Sequence, residues 1–234
     1  MSNALPPAAF ERLARTQSGP DAIVSCESFV RRMVDALNRS MWASRFSVLR
    51  TRCGLNGGDA FLTSGNYLHG SAGHWYLFHR NGRWEPQFNI GMFGGGPGQP
   101  RYLRIGLGAG LSSASADPNR EAGFRQLRSL FMNMQWLARS SRSSVLTDAL
   151  ALGAPLVEAI DIPTPSAVTP ESAVHWLAHV DAGSTPWVFV GRKLSPDAEA
   201  DRDTLGDFEE LMFEITRTLD VWLPVWEAVM RGPE

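Results

Sequence analysis

The chain has 234 residues, 44% hydrophobic and 20% charged, an ordinary globular composition that excludes a disordered or fibrous chain. It contains no 18-residue apolar run and no N-terminal signal-peptide pattern, so no membrane partner is expected. Cys26 and Cys53 are its two cysteines. They make neither a disulfide framework nor a metal site alone, and a reduced cytoplasmic protein is expected.

The net charge of −2 hides an asymmetry. Residues 30–145 hold 15 arginines against 5 acids, a balance of +10, and residues 146–234 hold 5 Lys or Arg against 16 acids, a balance of −11. Such a split suggests a polyanionic partner for the basic part. Against this, a single lysine, Lys193, stands beside 21 arginines, which also fits genome base composition. The acidic half can equally pack against the basic half.

Residues 4–16 read as a short helix, broken at Ser18-Gly19-Pro20. Phe29, Val30, Met33, Val34 and Leu37 follow helical spacing, which predicts an amphipathic helix over 22–38 with Arg31, Arg32 and Arg39 on a solvated side. Trp42, Phe46, Val48 and Leu49 suit a helix end or a strand. Asn56-Gly57-Gly58-Asp59 reads as a turn, and 62–73 as a polar loop.

Asn81-Gly82 carries the strongest hairpin signal, since both central residues of a type I′ turn need φ > 0. Before it, Trp75, Leu77 and His79 share one face, and His74, Tyr76, Phe78 and Arg80 the other. After it, Trp84, Pro86, Phe88 and Ile90 oppose Arg83, Glu85, Gln87 and Asn89. Pro86 argues for an edge or a bulge. Gly94 to Gly98 is a loop, and Arg101 to Leu107 a third strand with Tyr102 and Arg104 opposite Leu103, Ile105 and Leu107. The sum is a three-stranded meander with one apolar face and one Arg/Gln/Asn/aromatic outer face.

Further on, Asp117-Pro118 opens a helix through about 138. Residues 156–162 read as a strand, 170–180 as a helix capped by Thr169, 187–190 as a buried strand and 202–219 as a long helix. Pro224 separates the last from a final helical turn. The expected fold class is α+β, a central antiparallel meander packed on several helices. The chain reads as one domain over 1–234, with a possible subdivision near 140–145 into basic 1–145 and acidic 146–234.

Catalytic motifs fail on spacing. Gly106-Leu107-Gly108-Ala109-Gly110 lacks the third glycine of a dinucleotide fingerprint, because Leu111 stands there, and the following helix starts too late to hold a pyrophosphate. The reading is a strand with a flexible exit. His175 and His179 have a spacing that suits zinc, but Trp176 occupies the glutamate position of H-E-x-x-H; core or interface histidines are expected. His74 and His79 lie on opposite faces, which leaves no acid/base pair without residues from elsewhere. Cys53 reads as a plain thiol. No metal, cofactor or catalytic residue is implied.

What is left is the outer face of the meander. Arg80, Arg83, Gln87, Asn89, Arg101 and Arg104, with Trp84 and Tyr102 beside them, form a nucleic-acid-reading set. Arginine neutralises phosphate or pairs with guanine, amides suit adenine, and aromatic rings stack on bases.

Gln87-Phe88-Asn89-Ile90-Gly91, followed by Arg104-Ile105-Gly106-Leu107-Gly108 and the later W-x-F-x-G-R run from Trp187 to Arg192, resembles a bacterial group of restriction- and phage-defence-associated domains. The resemblance touches about a third of the chain and implies a defence context, with a nuclease or other defence subunit as partner. Together these readings give an expected non-enzymatic specificity or reader module for duplex DNA. The alternatives are a protein–protein interaction module, or a nuclease or hydrolase using His74 or His79.

Overall fold

A computed structural model describes residues 20–55, 69–71, 74–79, 84–94, 100–110, 120–160, 162, 164, 167–181, 185 and 187–233. Seven helices and six strands lie among them: α1 (Pro20–Arg39), α2 (Met41–Arg52), β1 (His69–Ser71), β2 (His74–Phe78), β3 (Gln87–Phe93), β4 (Tyr102–Gly110), α3 (Arg120–Arg139), α4 (Ser144–Leu150), β5 (Ala154–Ala159), α5 (Pro170–His179), β6 (Trp187–Leu194), α6 (Glu199–Gly206) and α7 (Phe208–Arg231). The strands form one sheet in the order β1-β2-β3-β4-β6-β5. The fold is α+β on an antiparallel sheet, with the expected meander β2-β3-β4 inside it. None of the described helices is long and apolar enough to cross a membrane. The readings at 4–16, 56–59, 80–83, 95–99 and 111–119 lie outside the described residues.

The hairpin register differs from the expectation. A two-residue turn at Asn81-Gly82 would pair Phe78 with Glu85, whereas Phe78 pairs with Asn89, Leu77 with Ile90 and His74 with Phe93. The offset is four residues. Because side chains alternate with period two, an even offset leaves the paired residues of β2 and β3 on their expected faces. Pro86 sits just before β3, which is an inner strand. Its carbonyl accepts a 2.8 Å hydrogen bond from Trp226 Nε1, so the proline lies outside the ladder it would interrupt.

The chain divides into two compact units, each assembled from separated stretches. The first comprises Met1–Arg80, Asn89–Ile105 and Lys193–Asp220. Here Leu77, Ile90, Met92, Leu103 and Ile105 are buried on one sheet face. Val30, Met33, Val34 and Leu37 of α1 are buried too, and α1 packs on β1, β2 and α2. Residues 41–52 are a helix because Ser40 ends α1 and starts α2: its hydroxyl bonds Leu37 O and accepts from Ala43 N. Arg32 is not simply solvated. Its guanidinium lies 3.9 Å over the Phe208 ring, which Phe29 meets edge-on at 5.9 Å.

The second unit comprises Asn81–Phe88, Gly106–Arg192 and Val221–Glu234, so 140–145 lies inside it. Here α3 and α4 pack on α5, and α4 and α5 on β5. α5 starts at a capping box between Thr169 and Ser172 with Pro170 in the first turn. Its C-terminal carbonyls are taken up by α3. Gln135 Nε2 donates to Val180 O at 2.6 Å, and Arg139 Nε to Ala178 O at 2.6 Å.

The predicted 202–219 helix is two helices, α6 and α7. Asp207 is extended (φ −114°, ψ 131°), and its Oδ1 accepts from Glu209 N and Glu210 N at 2.8 and 3.0 Å, an N-cap that restarts the helix. Pro224 does not end α7. It faces solvent while Trp222, Val225, Trp226 and Val229 around it are buried. Burial of that stripe outweighs the ~3 kcal/mol a proline costs in a helix interior.

Candidate nucleic-acid interface

The face expected to read nucleic acid is an aromatic row. In the first unit, His74, Tyr76 and Phe78 of β2 stand on the side opposite Leu77, and the register sets them beside Phe93, Gly91 and Asn89 of β3. His74 stacks on Phe93 (centroids 5.2 Å apart, planes 14°) and on Tyr76 (6.2 Å, 13°). Phe93 stacks on Tyr102 of β4 (4.9 Å, 19°), and Tyr76 on Phe78 (6.4 Å, 30°). His74, Tyr76, Phe93 and Tyr102 are half-buried.

Arg104 threads this row. Its Cζ lies 4.7 Å over the Phe93 ring, and its Nε donates to Asn89 Oδ1 at 3.0 Å. Gly91 makes the room. A Cβ there would fall 2.9 Å from Phe93 Cε2, 3.1 Å from Arg104 Nε and 3.3 Å from Tyr76 Cβ. The Asn89, Gly91 and Arg104 positions of the QFNIG and RIGLG stretches therefore act as one assembly: amide acceptor, gap and guanidinium.

This corrects the expected exposure of the face. Asn89 is 1% exposed and Arg104 6%. Each spends hydrogen-bonding capacity on the other, because a buried guanidinium needs a partner. Arg101 is engaged as well. It forms a fork with Asp197, Nη2 to Oδ1 and Nε to Oδ2, while its carbonyl accepts from Ser195 Oγ at 3.2 Å. With Arg45 bound to Asp220 at 2.9 Å, two arginines of the basic stretch meet acids of the acidic stretch, so part of the charge asymmetry is neutralised internally. Tyr102 belongs to the row. Arg80 and Arg83 lie outside the described residues. Trp84 and Gln87 are half-buried in the second unit.

Sequence reasoning did not single out Phe93, Tyr76 or His74 as one surface with Tyr102. The signal was available: the alternation of β3 continues past Gly91 and puts Phe93 on the face of Asn89. The stacking itself depends on the register.

In the second unit the glycines of β4 have packing roles. A Cβ on Gly108 would lie 2.9 Å from Trp187 Nε1, and one on Gly106 would lie 2.3 Å from Val190 O. Trp187 stacks on Phe189 at 6.0 Å. Gly153 is similarly close to Arg192, 2.5 Å from a would-be Cβ to its Nε. The expected flexible exit after Leu107 is a strand through Gly110, and these glycines admit the W-x-F-x-G-R strand rather than a cofactor.

His79 is fully buried, edge-on to Phe46 at 4.9 Å (87°), and His74 is on the other face, as expected. Cys53 caps α2, its N–H donating to Leu49 O and Arg50 O. His175 and His179 are not core residues. Both are exposed on α5, with centroids 4.3 Å apart. No known family, curated protein or solved structure matches the chain.

Proposed function

We propose that the chain is a DNA-binding reader module of a restriction or phage-defence system, and that it engages unpaired or flipped bases by stacking rather than reading duplex edges with arginine. The observation that supports this is the near-parallel row His74, Tyr76, Phe93 and Tyr102 on one face of an antiparallel sheet. Aromatic rings on a sheet are the usual platform for bases freed from a helix, and stacking tolerates any base because every base has a π-face. The burial of Asn89 and Arg104 moves the weight of recognition from hydrogen bonds to rings. Arg104, with its Cζ 4.7 Å from the Phe93 centroid, then supports that ring.

The test is fluorescence polarisation with labelled single-stranded, duplex and mismatched oligonucleotides over a salt series. Stacking contributes ~1–3 kcal/mol per base, so Tyr102→Ala and His74→Ala are each expected to weaken binding ~5- to 150-fold, with mismatched and single-stranded DNA preferred over duplex. Affinity should also fall with salt. Absence of binding at low salt, or unchanged affinity in both variants with folding intact, rejects the reading.

A second reading rests on exposed apolar side chains in the first unit: Met41 and Val48 on α2 and Phe213 on α7. Met41 and Val48 stand seven residues apart, on one face of α2, where exposed apolar side chains suit a protein-binding surface. A Phe213→Asp variant that keeps its DNA affinity and loses a co-purifying protein supports this second reading.

A further inference from the structure

We propose that the exposed face of α5 is a two-histidine site for a divalent transition-metal cation of the copper or nickel type. The helix is a firm base for one. Ala173, Leu177 and Ala178 are buried beneath it, the Thr169–Ser172 capping box closes its start, and Gln135 and Arg139 hold its final carbonyls. On the opposite side His175 and His179 stand one turn apart in solvent.

Two observations prepare these rings for a cation. Their centroids are 4.3 Å apart. His179 Nδ1 lies 2.8 Å from the His175 carbonyl oxygen. A carbonyl oxygen only accepts, so Nδ1 is the donor and Nε2 is the nitrogen left to face a ligand. Anchoring one ring nitrogen on a carbonyl is how metal-binding histidines are fixed in tautomer and orientation.

Two imidazoles one helical turn apart supply two nitrogen donors, a ligand type that suits copper and nickel. The affinity order for nitrogen ligands also places Cu2+ above Ni2+ and Zn2+. Mg2+ and Ca2+ need oxygen donors and gain nothing here. Among the described residues no group of three His, Cys, Asp or Glu is placed to hold a metal ion, so the proposal rests on the two imidazoles.

The experiment is calorimetric titration of the full chain with Cu2+, Ni2+, Zn2+ and Mg2+, with electron paramagnetic resonance of the Cu2+ form. The expected result is one Cu2+ per chain in a tetragonal nitrogen environment, with affinity falling from Cu2+ to Ni2+ and Zn2+ and no Mg2+ response. Losing even an outer partner of a metal ligand costs ~10–100-fold in affinity, so His175→Ala and His179→Ala are each expected to weaken Cu2+ binding at least about tenfold. Both positions are exposed in a helix, where alanine is well tolerated, and unchanged melting curves without metal verify that. Cu2+ binding that survives intact in the double variant overturns the proposal, as does Zn2+ binding more tightly than Cu2+.

Discussion

A methyl group at Gly106 has no room. Its Cβ would lie 2.3 Å from the Val190 carbonyl oxygen, 2.6 Å from Gly191 Cα and 3.0 Å from Phe189 Cζ. The first two are backbone atoms of the neighbouring strand and cannot rotate away, so β4 and β6 must part locally. Overpacking a filled interior costs ~1–3 kcal/mol, and a clash with backbone belongs at the upper end. At ~3 kcal/mol, and ~2–4 °C of Tm per kcal/mol for a chain of this size, Gly106→Ala is expected to melt ~6–12 °C below the wild type. Gly206→Ala is the matched control. It ends α6, and its Cβ would meet nothing within 4 Å. A Gly-to-Ala change in compatible backbone is neutral to stabilising, by up to ~1 kcal/mol. Differential scanning fluorimetry and urea unfolding of both variants make the comparison. A Gly106→Ala midpoint indistinguishable from wild type refutes the close approach of the two strands, and equal damage from Gly206→Ala refutes the assignment of the effect to crowding.

Two further predictions concern polar and backbone terms. Asn89→Ala removes the amide that accepts from Arg104 Nε; stranding a buried donor costs ~1–3 kcal/mol or more when it is charged, readable as a lower urea midpoint and an altered near-ultraviolet dichroism of the aromatic row. An unchanged midpoint would show that Asn89 does not hold Arg104. Pro224→Ala restores a helix N–H at an exposed position of α7; a gain of up to ~3 kcal/mol is expected from propensity, and a loss of stability would mean that the proline's own shape is used in packing.

Local patterning made most of the elements legible. The stripe Val30, Met33, Val34 and Leu37 marked α1, and Thr169-Pro170 marked the start of α5, because caps and periodicity act within a turn of chain. The face assignments on β2, β3 and β4 held even though the hairpin register did not, since the period of a strand is a local property and the turn length is not. Asp207 was missed as a cap because it sits inside an apolar run that reads as continuous helix. Pro224 was misread because its cost is local while the burial of Trp222 and Trp226 that offsets it is tertiary.

The candidate site shows the same division. By itself the sequence determined that His74 and Tyr76 share a face of β2, and Tyr102 and Arg104 a face of β4, because alternation within a strand requires no knowledge of neighbours. Only the tertiary structure decided that Asn89 and Arg104 are buried against each other, that Gly91 is the gap between them, and that four rings lie nearly parallel. Burial and stacking depend on which strand lies beside which, and on what register. Those are set by contacts between residues far apart in the chain, on which local propensity carries no information.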